Sequence, residues 1–257
     1  MLIDVTDLAD PRLSDFVGLR DAQLRRREER FIAEGLTIIE RAFAAGCRPR
    51  ALLVQPRWLP GLAPLLEAWP RVPVYVASEG FIEQVSGFHV HRGALGSFDR
   101  PAEAGWDDVL AGRRLIVCED TVDHANLGAI VRVAAGLGWD AVLLSPGAAD
   151  PLYRRAIKAS MGASLELPWR RLEGDHELER LRAAGFRLVA TTLSDRSVDL
   201  ADYRAGDRVA LLLGTEGSGL SEGWTARADD HVRIEMTDKV DSLNVAAAAA
   251  IFAYALR

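Results

Sequence analysis

The sequence predicts an α/β protein. A larger carboxyl-terminal domain is built on a mostly parallel sheet, and a smaller α/β domain precedes it. Three observations support this. From Arg113 onward, short apolar runs of strand length alternate with helical segments, the pattern of parallel strands joined by covering helices. Ahead of that region, two further apolar runs at 51–54 and 74–76 flank a proline-rich segment. Residues 97–107, with Pro101, Gly105 and several acids, have the composition of a linker. The domains are therefore placed at 1–98 and 107–257.

In order along the chain, residues 19–45 read as a helix ending at Gly46, a residue type common just past a helix end. Strands at 51–54 and 74–76 enclose Pro56, Pro60 and Pro64, and the stretch 93–101 closes the unit. The second region opens with a buried-type strand at 115–118. A helix over 127–137 stops at Gly138, and strand 140–145, helix 151–161 and a short strand at 165–167 follow. A helix over 176–184 ends at Gly185, before strands at 186–191 and 209–213. Residues 245–256 contain no charged side chain, and Tyr254 is their only polar one. Ser242 is a candidate cap for this last helix. A helix apolar all round is buried on every side, and one of about 15 residues is too short to span a bilayer. We expect it both to enter the core and to pack against a second subunit.

The 257 residues carry a formal net charge of −6. No apolar run reaches the roughly 18 residues of a membrane helix. The start, Met1-Leu2-Ile3-Asp4, has an acid where a signal peptide has bases. Two cysteines, Cys47 and Cys118, make no disulfide framework, and no Cys/His cluster has zinc spacing. A reduced cytoplasmic protein without a membrane partner or metal is expected. An acidic chain argues against nucleic acid as a partner, unless its charge is segregated. Local clusters exist: Arg20, Arg25, Arg26 and Arg30 in an arginine-rich stretch, then Arg154, Arg155 and Lys158, then Arg170-Arg171. Each reads either as a solvated face or as a phosphate-tracking surface.

Three segments concentrate unusual residues. In Asn126-Leu127-Gly128-Ala129-Ile130-Val131-Arg132, Asn126 sits where a strand turns into a helix. Gly128 allows close backbone approach. Arg132 follows nearly two turns on, roughly on the side of Asn126. Between Val131 and Val133 it reads as a snorkelling, salt-bridged or functional arginine. In Leu211-Leu212-Leu213-Gly214-Thr215-Glu216-Gly217-Ser218-Gly219-Leu220, a buried strand runs into three glycines. That loop belongs at the carboxyl edge of the sheet, where open α/β folds bind ligands. It lacks the lysine of a P-loop and the G-x-G-x-x-G spacing. The third segment, Ile234-Glu235-Met236-Thr237-Asp238-Lys239-Val240-Asp241-Ser242-Leu243-Asn244-Val245, opens the apolar helix. Capping accounts for Ser242 but poorly for Asn244.

Together these segments resemble the three signature motifs of the SpoU/TrmH family, RNA ribose 2′-O-methyltransferases of the SPOUT superfamily that use S-adenosylmethionine. The resemblance covers about 113–257. In the amino-terminal part, Phe31-Ile32-Ala33-Glu34-Gly35 and Arg92-Gly93-Ala94 look like that family's substrate-binding domain.

The resemblance implies a trefoil-knotted α/β domain that dimerises through the knot, with the last helix tucked through a loop. It implies S-adenosylmethionine against Leu213, Gly214, Ile234, Met236 and Leu243. Arg132 matches the catalytic arginine, and Asn126, Glu216, Ser242 and Asn244 match the polar positions around it. RNA would be held by Arg20, Arg25, Arg26, Arg30, Arg154, Arg155 and Lys158, with rRNA favoured over tRNA. A knotted RNA-binding or ribosome-assembly protein without catalysis is the alternative. Departures from the third motif, Glu235 after its isoleucine and Thr237-Asp238 after its methionine, bear on the substrate more than on the reaction.

Overall fold

A computed structural model of the protein describes residues 1–19, 29–90, 93–194, 196–237 and 239–257. The chain divides into two compact units. One is Met1–Ala102 with Leu152–Lys158, and the other is Glu103–Pro151 with Ala159–Arg257.

The first unit carries a five-stranded mixed sheet in the order β1-β4-β3-β5-β2, formed by β1 (Leu2–Asp4), β2 (Arg30–Glu34), β3 (Pro49–Val54), β4 (Val74–Val76) and β5 (Ala94–Asp99). The helices α1 (Leu36–Ala44), α2 (Leu59–Glu67) and α3 (Glu79–Ser86) accompany it. One core cluster gathers Leu13, Phe16, Leu53, Tyr75, Ile82 and Leu95. The expected helix over 19–45 is corrected here. Its Arg20, Arg25 and Arg26 lie outside the described residues. Residues 30–34 form an edge strand whose Phe31, Ile32 and Ala33 are buried against β5. Aromatic and β-branched side chains favour that pleated surface. Gly35, at φ +89°, separates the strand from α1. The glycine-rich stretch 93–101 is likewise no mere boundary. It contains β5, a central strand, and Gly96 is there for space: a Cβ would lie 2.6 Å from the Phe98 ring.

A part-buried charge organises the same sheet. Asp15 accepts hydrogen bonds from the Ser97 hydroxyl (2.7 Å) and from Arg50 (3.0 Å), and pairs with Arg30. Burial pushes its carboxyl up, but the Ser97 and Arg50 hydrogen bonds and the charges of Arg30 and Arg50 outweigh that, so its pKa lies below the ordinary aspartate value. A depressed native pKa contributes stability in full above about pH 4, lost as pH falls through the native value. Asp15→Asn is therefore expected to lower Tm at pH 7 and to flatten the fall of Tm between pH 5 and pH 3. Parallel Tm–pH curves for the two proteins would contradict this.

The second unit is built on a seven-stranded sheet, parallel throughout, in the order β10-β12-β9-β11-β6-β7-β8. Its strands are β6 (Arg114–Cys118), β7 (Ala141–Leu144), β8 (Trp169–Arg171), β9 (Arg187–Thr191), β10 (Val198–Asp199), β11 (Val209–Leu213) and β12 (Asp230–Arg233). The helices are α4 (Trp106–Ala111), α5 (His124–Gly136), α6 (Arg154–Ala159, most of which groups with the first unit), α7 (Leu178–Ala183), α8 (Glu222–Arg227) and α9 (Val245–Ala255). The central strands β11 and β6 are almost wholly buried, which is why they read as unbroken apolar runs. The strand expected at 165–167 is instead a turn, and β8 begins at Trp169, after Pro168. Cys47 and Cys118 are both free and buried, and burial pushes the Cys118 thiol up to about 12, which leaves it inert.

The last helix has one buried and one exposed face in the single chain. Val245, Ala246, Ala249, Phe252, Ala253 and Leu256 are buried, and α9 packs along α5. Ala247, Ile251 and Tyr254 are exposed and lie along one face. The helix is thus not enclosed on every side in the single chain, and its exposed face carries the large side chains Ile251 and Tyr254. Its carboxyl-terminal carbonyls are satisfied from earlier in the chain. The Trp139 indole donates to Ala253 O (3.1 Å), and Arg114 Nε donates to Leu256 O (2.7 Å). No helix among the described residues is long and apolar enough to cross a membrane.

Candidate functional site

The carboxyl ends of β9, β11 and β12 open onto a cavity of about 360 Å³, within the size range of small-molecule sites. Leu213, Gly214, Ile234, Met236 and Leu243 all line it. So do Thr191, Arg233, Ser242 and, from α9, Val245, Ala248 and Phe252. Three stretches of sequence about 20 residues apart therefore meet around one space, because parallel strands deliver their loops to the same edge.

The loop after β11 is a closed turn. Thr215 N donates to Gly219 O (2.9 Å), Gly219 N donates to Thr215 O (3.2 Å), and the hydroxyls of Thr215 and Ser218 are 2.8 Å apart. Gly219 holds φ +68°, a left-handed conformation that favours glycine. Gly214 is buried, and a Cβ on it would lie 2.1 Å from Gly219 C and 2.2 Å from Leu220 N. These glycines exist because the loop folds back on its own main chain.

Beside the cavity, three polar residues from the three segments form one network. Asn126 Nδ2 donates to Glu216 Oε1, and Asn244 Nδ2 donates to Asn126 Oδ1 (3.1 Å). Asn244 also caps α9, its Oδ1 accepting from Ala246 N (3.0 Å) and Ala247 N (3.2 Å). Asn244, rather than Ser242, is the cap, and one carboxamide performs both tasks. Ser242 is exposed at the cavity wall. Asn244→Ala is expected to lose about 1 kcal/mol of stability together with the network. Asn244→Asp keeps the cap acceptors but cannot donate to Asn126, so it should retain Tm and lose the network. Equal Tm losses in the two variants would contradict the division of labour.

Arg132 lies on α5, exposed, with no hydrogen-bond or ion-pair partner among the described residues. It does not share a side with Asn126. Six helical residues rotate by about 600°, which leaves the two about 120° apart. Asn126 is tied to Glu216 and Asn244 rather than to Arg132. The other basic candidates divide. Arg30 pairs with Asp15, its side chain 11% exposed. Arg154 donates to Glu34 (2.5 Å) and lies over the Phe88 ring, and Lys158 also reaches Glu34 (2.9 Å). Only Arg155 and Lys158 of these four are exposed. Alternating charge along a sequence does not show which arginines are spent on buried carboxylates. Sequence reasoning also missed Thr191, Arg233 and Phe252 at the cavity, which come from ordinary strand and helix sequence without a motif.

Residues 113–254 match the SpoU rRNA Methylase family, and residues 10–93 match the MRM3-like substrate binding domain. An uncharacterized tRNA/rRNA methyltransferase of Mycobacterium tuberculosis is 42% identical over 98% of this chain and 90% of its own length. The 23S rRNA (guanosine(2553)-2′-O)-methyltransferase RlmP of Bacillus subtilis is 24% identical over 96% of both chains. The AdoMet-bound rRNA methyltransferase of Sinorhizobium meliloti superposes with a TM-score of 0.86 at 27% identity, over 99% of this chain and 97% of that one. With its three motif segments gathered at one sheet edge, this chain belongs to the SpoU rRNA methylase family.

Proposed function

We propose that the protein transfers the methyl group of S-adenosylmethionine to a ribose 2′-hydroxyl of RNA, with ribosomal RNA as substrate. The observation that carries this is the juxtaposition of the cavity with the Asn126–Glu216–Asn244 network. The cavity fits the cofactor: it has adequate volume and a mixed lining, with Leu213, Ile234, Met236 and Leu243 as apolar wall, Thr191, Asp241 and Ser242 as polar wall, and the main chain of the glycine loop alongside for hydrogen bonding to a neutral ring. Its loop carries Glu216 and no lysine, which suits a ligand without phosphate. Bound S-adenosylmethionine supplies an activated methyl group with a good leaving group. The protein's part is then alignment of the hydroxyl, whose proton passes to solvent water as the methyl–oxygen bond forms and the methyl–sulfur bond breaks. Arg132 offers a planar fork of donors and no acceptor, so it does not itself take up the hydroxyl proton. It holds a phosphate of the target and polarises the hydroxyl. Asn126, Glu216 and Asn244 fix the loops around cofactor and RNA, with Ser242 at the wall.

Residues 107–257 carry the reaction in this reading. Residues 1–98 hold the RNA, assisted by Arg155, Lys158 and the stretch containing Arg20, Arg25 and Arg26. The last helix, anchored by Trp139 and Arg114, is the threaded element of a trefoil knot. Its exposed Ala247, Ile251 and Tyr254 form part of a homodimer face, in a cytoplasmic enzyme. Calorimetric titration tests the cofactor. One saturable S-adenosylmethionine site per chain, with no binding of ATP or NAD, is expected. Binding of ATP or NAD alone would overturn the assignment. Binding of RNA without any S-adenosylmethionine binding would favour a non-catalytic RNA-binding protein.

A further inference from the structure

Arg171 was one of a basic pair that read as surface charge, yet its guanidinium is spent on main-chain carbonyls. One terminal nitrogen donates to Ser145 O and Ala148 O (both 2.8 Å), and the other to Ala149 O (3.1 Å). Those carbonyls belong to the loop that follows β7. That loop is in turn bonded to the loop that follows β6. Ala149 N donates to Thr121 O (2.9 Å), Asp120 N donates to Ser145 Oγ (2.8 Å), and Ser145 Oγ donates to Asp120 Oδ1 (2.5 Å). The fit leaves no slack. Asp120 sits at φ +45°, uncommon for a residue with a side chain, and a Cβ on Gly147 would lie 2.4 Å from Asp120 Oδ1. Three residues further on, Asp123 caps α5 by accepting from Ala125 N (2.8 Å) and Asn126 N (2.9 Å). Asn126 and Arg132 stand on that helix. Residues 119–123 and 145–149 contribute nothing to the lining of the cavity.

We propose that Arg171 is a positioning residue for methyl transfer: by gathering the carbonyls of 145–149 it braces the loop 119–123, and so the start of α5 that presents Asn126 and Arg132. The proposal rests on the reading of the site as a methyltransferase centre. Its chemistry is particular to arginine. A planar fork with five donors satisfies several convergent carbonyls, whereas lysine has one point of attachment and methionine has none.

The test compares wild type with Arg171→Met, Arg171→Lys and Ser145→Ala. Three quantities are read: amide hydrogen exchange, the calorimetric Kd for S-adenosylmethionine, and initial rates on an unmodified 23S rRNA transcript. In Arg171→Met, exchange at Asp120, Ala125, Asn126 and Ala149 is expected to quicken at least tenfold, while Thr215 and Gly219 keep their protection. The Kd should stay within about twofold, and kcat should fall at least tenfold with a smaller change in KM for RNA. Arg171→Lys should recover part of kcat. Ser145→Ala should show the same pattern more weakly, and keeps the test open if Arg171→Met does not fold. Unchanged exchange across 119–126 would overturn the proposal. So would a loss of cofactor affinity as large as the loss of kcat, which marks general destabilisation. A wild-type protein inactive on rRNA would count against the proposed function, while the exchange comparison would still decide the bracing.

Discussion

Arg132→Ala should lower kcat for RNA methylation by about 10²–10³-fold, the usual effect of removing one preorganised electrostatic contact. Fold and cofactor binding should be untouched. The side chain is exposed, has no partner among the described residues and does not line the cavity. Its removal therefore opens no hole and orphans no buried group. Arg132→Lys should keep part of the rate, because an ammonium still meets a phosphate but cannot do so bidentately. The measurement is a steady-state rate alongside Tm and the Kd for S-adenosylmethionine. A rate within twofold of wild type would remove Arg132 from the chemistry. A parallel fall in Tm would make it structural.

Gly214→Ala should act at the opposite end of the mechanism, on the cofactor. The added methyl group meets Gly219 C at 2.1 Å, Leu220 N at 2.2 Å and Gly219 O at 2.4 Å, all main chain. No rotamer relieves such a collision, so the closed turn between Thr215 and Gly219 must open. A cost of about 3 kcal/mol, the upper part of the usual range for overpacking, corresponds to roughly 100-fold weaker binding if all of it appears in the Kd. Gly217 is the internal control. A Cβ there meets nothing within 4 Å, so Gly217→Ala should bind S-adenosylmethionine nearly as wild type does. Equal affinities for Gly214→Ala and Gly217→Ala would show that the turn does not shape the cofactor site.

Much of this centre was readable before the structure. Buried parallel strands are continuous apolar runs, so β6, β7, β9 and β11 stood out, and the segments after β6 and β11 marked part of the site, whereas β12, which leads into the third segment, did not stand out. The glycines of 214–219 were legible as a loop, but their reason was not. Only geometry shows that Gly214 faces the main chain of Gly219. Other features were hidden for identifiable causes. β2 lies next to an arginine-rich stretch, so helical charge patterning concealed Phe31, Ile32 and Ala33 as a strand. β5 carries glycine at 96 to admit the Phe98 ring, and so read as punctuation. Asn244 was hard to place because it caps α9 and bonds Asn126 at once, and a sequence shows neither the helix start to within two residues nor the contact across 118 positions. Arg30, Arg154 and Arg171 read as surface charge because a pairing with Asp15, Glu34 or backbone carbonyls depends on tertiary structure alone.

The central claim is methyl transfer to a ribose hydroxyl of RNA. It is tested most directly by incubating the purified protein with S-adenosylmethionine and unmodified rRNA or tRNA transcripts, digesting the RNA to nucleosides and analysing them by mass spectrometry. The account predicts a 2′-O-methylnucleoside from the rRNA, formed at least 100-fold more slowly when Arg132→Ala replaces wild type, in line with the loss of about 10²–10³-fold expected for one preorganised contact. A methyl group on a base, or no methylated nucleoside from either RNA with a protein that binds S-adenosylmethionine, would contradict it.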